Sequence, residues 1–264
     1  LFELLMLPAG TLVNVGAYAS GQPVLAALLF LVAGLAIVTL ARAGGPFERR
    51  ILLRTFAVGW FMAGIAAIYA NQFRDPAQLY LDAGAFFNAT ATGETERLTF
   101  LQIQLLYENA LPIVMWREVY NFMAALGFER QRFIGVLVNV LAVGLSGVLA
   151  IRMTRRMYGE GEARLRLMVV FFSCCGLFWL FAAVHIRDSM ALLAVTTLTA
   201  VWIGFLERPT LGLRLVWVAL ASVLGTAFLG FLRTEFVFVP GALGSAGTAA
   251  LLIGRNTRSS RVVA

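Results

Sequence analysis

The chain reads as an all-α protein, a polytopic bundle of about eight transmembrane helices with amphipathic interfacial helices in one long loop. Three observations predict this. Of its 264 residues 60% are hydrophobic and only 13% charged, and the mean hydropathy is +0.84, far from the balance of a soluble domain. The apolar residues gather into runs close to the ~20 residues that cross a ~30 Å hydrocarbon core as a helix. The charged residues collect between those runs. One integral membrane domain, 1–264, accounts for the whole length.

The runs can be placed in order at about 4–19, 23–41, 51–70, 133–151, 167–186, 189–206, 215–232 and 236–254. The first is weakened by Pro8, Asn14 and two glycines. Runs five and six are separated by little more than Arg187-Asp188, and runs seven and eight by Arg233 to Glu235. Connections so short imply antiparallel helical hairpins, because exposed backbone cannot be left unpaired in lipid. Cys174 and Cys175 sit adjacent inside the fifth run and read as two small lipid- or helix-facing residues. Their spacing offers neither a disulfide framework nor a zinc site. The chain starts at Leu1 without methionine, so a few upstream residues are expected, and no cleavable signal pattern is visible.

All 21 positive residues are arginine, and the net charge is +7. They are dispersed among loops, which makes nucleic acid a poor partner and fits a membrane-orienting role. Fourteen fall in 42–54, 152–166, 207–214 and the tail 255–264. Seven fall on the alternate connections, together with nine of the fourteen acids. The bias places both termini in the cytoplasm of a bacterial inner membrane and turns 71–132 outward.

That outer segment is not plain loop. Ala77 to Asn88 carries Leu79, Tyr80, Ala83, Phe86 and Phe87 at helical spacing, and Leu98 to Leu126 mixes apolar and charged positions. Both fit amphipathic helices lying in the interface, joined by a link at Ala89–Gly93. A ninth span through 105–122 is disfavoured by Glu108, Pro112, Arg117 and Glu118.

Three charged clusters emerge on this outer side: Arg74-Asp75 with Tyr80 and Asp82, His185 with Arg187-Asp188, and Arg233 with Glu235. Ionisable residues recurring at one end of a helical bundle point to a polar site. Each has a plainer reading. Asp75 before Pro76 fits a helix N-cap, and Asp82 a solvated helix face. Arg187 and Asp188 fit a local ion pair with a cap, and His185, the single histidine, a hydrogen-bonded interfacial side chain. Arg233 and Glu235 lie in nearly unbroken hydrophobicity, which is expensive without partners or a cavity.

From about Ile51 to Pro240 the chain resembles the GT-C type membrane glycosyltransferases that use polyprenyl-phosphate sugars, and the related bacterial polysaccharide-assembly membrane proteins. The likeness rests on the acid-led outer loop from Arg74-Asp75-Pro76 to Tyr80-Leu81-Asp82-Ala83-Gly84. It extends to the span from Phe133 to Arg155-Arg156-Met157-Tyr158-Gly159, the Arg187-Asp188 tip and the span ending at Arg233. More spans lead up to the acidic loop than that family usually has, and the chain stops after eight.

The resemblance implies sugar transfer from a lipid-linked donor to a glycan, lipid or protein acceptor at the outer face. Asp75 would be the general base, with Asp82 next in line. Arg187 and Arg233 would clamp the lipid phosphate, assisted by Arg74, Tyr80, His185, Asp188 and Glu235. No cofactor is implied and no metal ligands are assigned, although a divalent ion is compatible with the chemistry. A polymerase or ligase acting on polyprenyl-diphosphate glycans, a lipid or solute transporter and a non-catalytic assembly subunit are the competing readings.

Overall fold

The computed structural model describes residues 2–18, 21–40, 45–72, 81–91, 95–107, 110–183, 187–207 and 212–260. Of these, the helical residues 70–72, 81–85, 181, 234–235 and 250–260 are described in backbone only. Among the described residues every regular element is helical. The chain divides into two compact units, Leu1–Leu193 and Ala194–Ala264.

The first unit opens with α1 (Phe2–Tyr18), α2 (Gln22–Leu40) and α3 (Pro46–Gln72). The outer segment forms α4 (Leu81–Ala91), α5 (Phe100–Tyr107) and α6 (Ala110–Ala125). There follow α7 (Arg132–Tyr158), α8 (Glu162–Cys174), α9 (Gly176–Ala183) and α10 (Asp188–Leu206), whose first residues close the unit. The second unit holds the rest of α10, α11 (Leu213–Leu232), a 3-10 turn at Thr234–Val237 and α12 (Phe238–Ser260).

Among the described residues five helices are long and apolar enough to cross a membrane: α2, α3, α7, α10 and α11. The helical membrane character expected from the sequence therefore holds at this coarser level. Among the described residues the other three of the eight runs do not reach that length and apolarity. The first is 17 residues long. The eighth, in α12, is diluted by Gly241, Gly244, Ser245, Gly247 and Thr248. The fifth is broken.

The break is a finding that periodicity could not supply. α8 ends at Cys174, Cys175 takes an extended ψ of 100°, and α9 starts at Gly176. A break within an apolar stretch frees backbone carbonyls that lipid cannot satisfy. Here the Trp179 indole N–H reaches back and donates to the Ser173 carbonyl at 3.0 Å. The expectation of one continuous helix fails because an aromatic side chain takes over part of the hydrogen bonding.

The core of the first unit is built on α3 and α7, with α1, α2, α8 and α9 packed around them. In α7 the fully buried side chains include Phe133, Ile134, Leu137 and Ile151, and in α3 Ile51, Leu52 and Trp60. Glycines let the helices approach, as close packing without a hydrophobic drive requires. Gly59 lies against Val140 and Trp179, Gly144 against Leu52 and Thr55, and Gly147 against Ile51 and Phe172. On α1, the Asn14 amide donates to the Trp60 carbonyl at 2.8 Å, tying α1 to α3 across a buried contact. Leu25, Leu28, Val32 and Leu40 on α2 remain exposed, as a face meeting lipid would.

The α1–α3 contact yields an expected result. A Cβ on Gly10 would stand 3.1 Å from the Phe61 nitrogen and 3.2 Å from its Cα, both backbone atoms that cannot swing aside. Gly10→Ala should destabilise by about 1–3 kcal/mol through overpacking. Gly16, in the same helix, has nothing within 4 Å of a built Cβ, so Gly16→Ala should gain roughly 0.5–1 kcal/mol of helix preference. Thermal unfolding of the two variants in detergent checks this. Equal shifts would remove the close packing from the account.

Ion pairs and ring contacts mark the two ends of the first unit. At one end Glu3 of α1 pairs with Arg54 of α3 at 2.7 Å, and Glu48 of α3 pairs with Arg155 of α7. At the other end Tyr18 of α1 meets Phe133 of α7, ring centres 5.1 Å apart. There too the Glu129 amide donates to the Gln22 side chain at the start of α2. The arginine-rich stretches around 45–54 and 152–166 thus share one end, and the segment before α7 lies at the opposite one.

In the second unit Trp202 is the hub. Its indole N–H donates to Ser222 of α11 at 3.2 Å, and Gly244 and Gly247 of α12 close on its ring. Gly225 of α11 packs against Leu198.

Candidate functional site

The outer segment folds as a helical layer with its own core. In α6 the buried positions Ile113, Trp116, Tyr120 and Met123 recur every three or four residues, the spacing of one helix face. They meet Phe86 and Ala89 of α4 and Ile103 of α5. Phe86 sets its ring edge-on to Trp116, centres 5.4 Å apart. Phe87 does the same to Tyr120 at 5.8 Å. The amphipathic helices expected from the sequence are present with shifted limits. The first continues to Ala91, so Ala89–Ala91 is helix rather than link, residues 77–80 lie outside the described residues, and the second stretch carries α5 and α6.

Tyr120 is fully buried, and burial pushes its phenol well above the usual range, opposed by a hydrogen bond from the Gly135 backbone. Gly135 lies in the first turn of α7, where N–H groups have no partner within the helix. Tyr120 therefore joins the outer layer to α7 while satisfying one of those donors.

Two arginines outside the three charged clusters tie down the connection after α4. Arg117 donates to the carbonyls of Thr95 and Leu98 at 2.8 and 3.2 Å. Arg130 pairs with Glu96 at 2.7 Å and donates to Asn121 at 2.9 Å. Thr99 and Gln102 form a reciprocal capping box that starts α5. The sequence signal was the Thr-x-x-Gln spacing, left unread.

The hairpin tip before α10 reaches this layer. The Arg187 guanidinium carbon lies 5.6 Å from the centre of the Phe86 ring, within cation–π range. Its carbonyl accepts the amides of Met190 and Ala191 at 3.0 and 3.2 Å, which makes Arg187 the residue that caps α10. Asp188 is the first helical residue, where an acid meets the positive end of the helix dipole. Both are partly buried. The capping reading of the Arg187-Asp188 turn is thus realised in part, with the arginine's side chain directed onto an aromatic shelf.

Asp82 lies in α4 one turn before Phe86, so the backbone of that candidate acid belongs to the helix that receives Arg187. Arg74, Asp75, Tyr80 and His185 lie outside the described residues. Arg233 belongs to the second unit. It is partly buried, in extended conformation (φ −164°, ψ 119°) after α11, with its amide donating to Leu229 at 2.8 Å. Glu235 sits in the 3-10 turn that follows. Among the described residues no group of three or more His, Cys, Asp or Glu is placed to hold a metal ion. Comparison with family models, curated proteins and solved structures finds no match for this chain.

Proposed function

We propose that the protein transfers a sugar from a polyprenyl-phosphate donor to an acceptor, at the end of the bundle formed by α4–α6 and the Arg187 tip. In this reading that end faces outward from a bacterial cytoplasmic membrane, and both termini are cytoplasmic. The observation that carries it is Arg187 stacked on Phe86, in the helix entered from the Asp75–Tyr80 segment and containing Asp82. Stacking fixes the plane of a guanidinium whose edge donors suit a phosphate leaving group. A candidate acid segment and a candidate phosphate clamp are the two parts that the reaction needs near each other.

The test is donor binding and turnover by purified protein in lipid nanodiscs. Arg187→Ala should weaken binding of a polyprenyl-phosphate sugar by roughly 10–100-fold, the worth of a charged hydrogen bond. Arg187→Lys should recover only part, since a point charge lacks the planar fork. Unchanged donor binding in Arg187→Ala would remove the clamp. A wild-type protein that binds no polyprenyl-linked sugar would remove the reading.

The break between α8 and α9 favours a second reading, translocation of a lipid or solute, because interrupted helices build substrate sites in many transporters. Flux across proteoliposomes without any sugar transfer would select it.

A further inference from the structure

At the opposite end of the first unit a cavity of about 230 Å³ opens between α3 and α8, lined by Phe47, Arg50, Arg54, Arg166, Val169 and Val170. We infer that it is a binding site for one anionic glycerophospholipid, with the phosphodiester held between Arg50 and Arg166 and an acyl chain leaving along α8.

The sequence places the lining on two facing stripes. On α3, Phe47, Arg50 and Arg54 follow at three and four residues. On α8, Val169 and Val170 stand three and four residues after Arg166, so each set lies on one helix face. Rising 1.5 Å per residue from the shared end, Arg50 and Arg166 come at similar depth, with the valines further in. Phe47 stands at the mouth and Arg54 as deep as Val170, so the cavity is charged along its α3 side and apolar along the inner part of its α8 side.

Charge narrows the ligand. Arg54 pairs with Glu3 at 2.7 Å, and Arg166 with Glu162 at 2.6 Å. Arg50 lies over the Phe47 ring at 5.9 Å and has no carboxylate partner among the described residues. Three guanidinium groups against two carboxylates leave one positive charge, which matches the single negative charge of a phosphodiester and not a dianionic monoester. Each paired arginine keeps further N–H donors, since a guanidinium carries five.

The apolar half excludes a purely soluble ligand. Val170 is 48% exposed, and its neighbours Leu167 and Phe171 are 62% and 48% exposed. They continue the pocket floor as an uncovered apolar stripe that an acyl chain would cover. A basic pocket between helices on the arginine-rich side is also where lipid headgroups are held in membrane proteins generally.

Native mass spectrometry of the full chain, titrated with phosphatidylglycerol or phosphatidylcholine in detergent, tests the site. One phosphatidylglycerol should be retained in preference to phosphatidylcholine. Arg50→Ala with Arg166→Ala should lower that retention roughly tenfold or more. Both residues are exposed, so their loss should leave the fold intact. Arg54 is left in place because its pair with Glu3 joins α1 to α3. Arg49, exposed on the same turn but outside the cavity, is the control, and Arg49→Ala should change nothing. Val170→Asp should abolish retention by placing a charge where the chain runs. Equal retention of the two lipids, or equal loss in Arg49→Ala, would mean diffuse surface charge and overturn the site. Displacement by millimolar inorganic phosphate would mean a soluble anion and overturn it as well.

Discussion

Arg155→Ala should lower the unfolding free energy by about 3–5 kcal/mol, the usual result of leaving one member of a buried ion pair alone. The Glu48 carboxylate is only 1% exposed, and Arg155 holds it with both terminal nitrogens, Nη1 on Oε1 and Nη2 on Oε2. The Nε of Arg155 lies 2.9 Å from Glu160, a charge contact without hydrogen-bond alignment. Gly45 admits this geometry, because a Cβ there would collide with a Glu48 carboxylate oxygen. Removing the arginine strands a carboxylate where water does not reach. Removing both charges, as in Glu48→Gln with Arg155→Met, should recover most of the loss, since burying an ion pair costs nearly what it returns. Chemical or thermal unfolding in detergent measures both. A double variant as unstable as Arg155→Ala would mean that shape, and not the stranded charge, sets the cost.

That pair also shows why the sequence made the fold legible at one level and not the next. Hydropathy located the apolar runs, and α2, α3, α7, α10 and α11 follow them because a membrane-length helix is one of few ways to satisfy backbone in lipid. Nothing in the hydropathy distinguishes Glu48 and Arg155 from the other charges of their loops. Their pairing depends on α3 beginning and α7 ending at the same level, a tertiary fact. The break at Cys175 was hidden for a related reason. Its compensation is the indole of Trp179 reaching Ser173, and an apolar run reads the same with or without that bond.

In the candidate site the legible part was the amphipathic spacing of 98–126, which became α5 and α6 around Trp116 and Tyr120. Arg187 was singled out for its position at a hairpin tip. Its landing place on Phe86 could not be foreseen, because residues 86 and 187 are brought together only by packing. Arg117 and Arg130 were read as orienting charge, yet they spend their donors on backbone carbonyls and on Asn121 in the outer layer. An arginine that holds a loop and one that holds a ligand carry the same letter, and only the carbonyl neighbours separate them.

Asp75→Asn should leave donor binding nearly unchanged and reduce transfer by about 10²-fold or more. Asparagine keeps the size of the aspartate and one acceptor oxygen, so Asp75 as a helix cap before Pro76 would lose little. What it cannot do is accept the acceptor's hydroxyl proton as that oxygen attacks the anomeric carbon. A general base typically contributes 10²–10⁴-fold, and its loss should appear in kcat rather than in donor affinity. Asp82→Asn is the natural comparison, because Asp82 lies seven residues on, in the first turn of α4. A fall in kcat confined to Asp75→Asn assigns the base to Asp75. A fall confined to Asp82→Asn moves it into α4, one turn from the ring on which Arg187 rests. Full turnover in both would take the acid segment out of the chemistry and leave Arg187 and Phe86 as a fastening between the α10 tip and the outer layer.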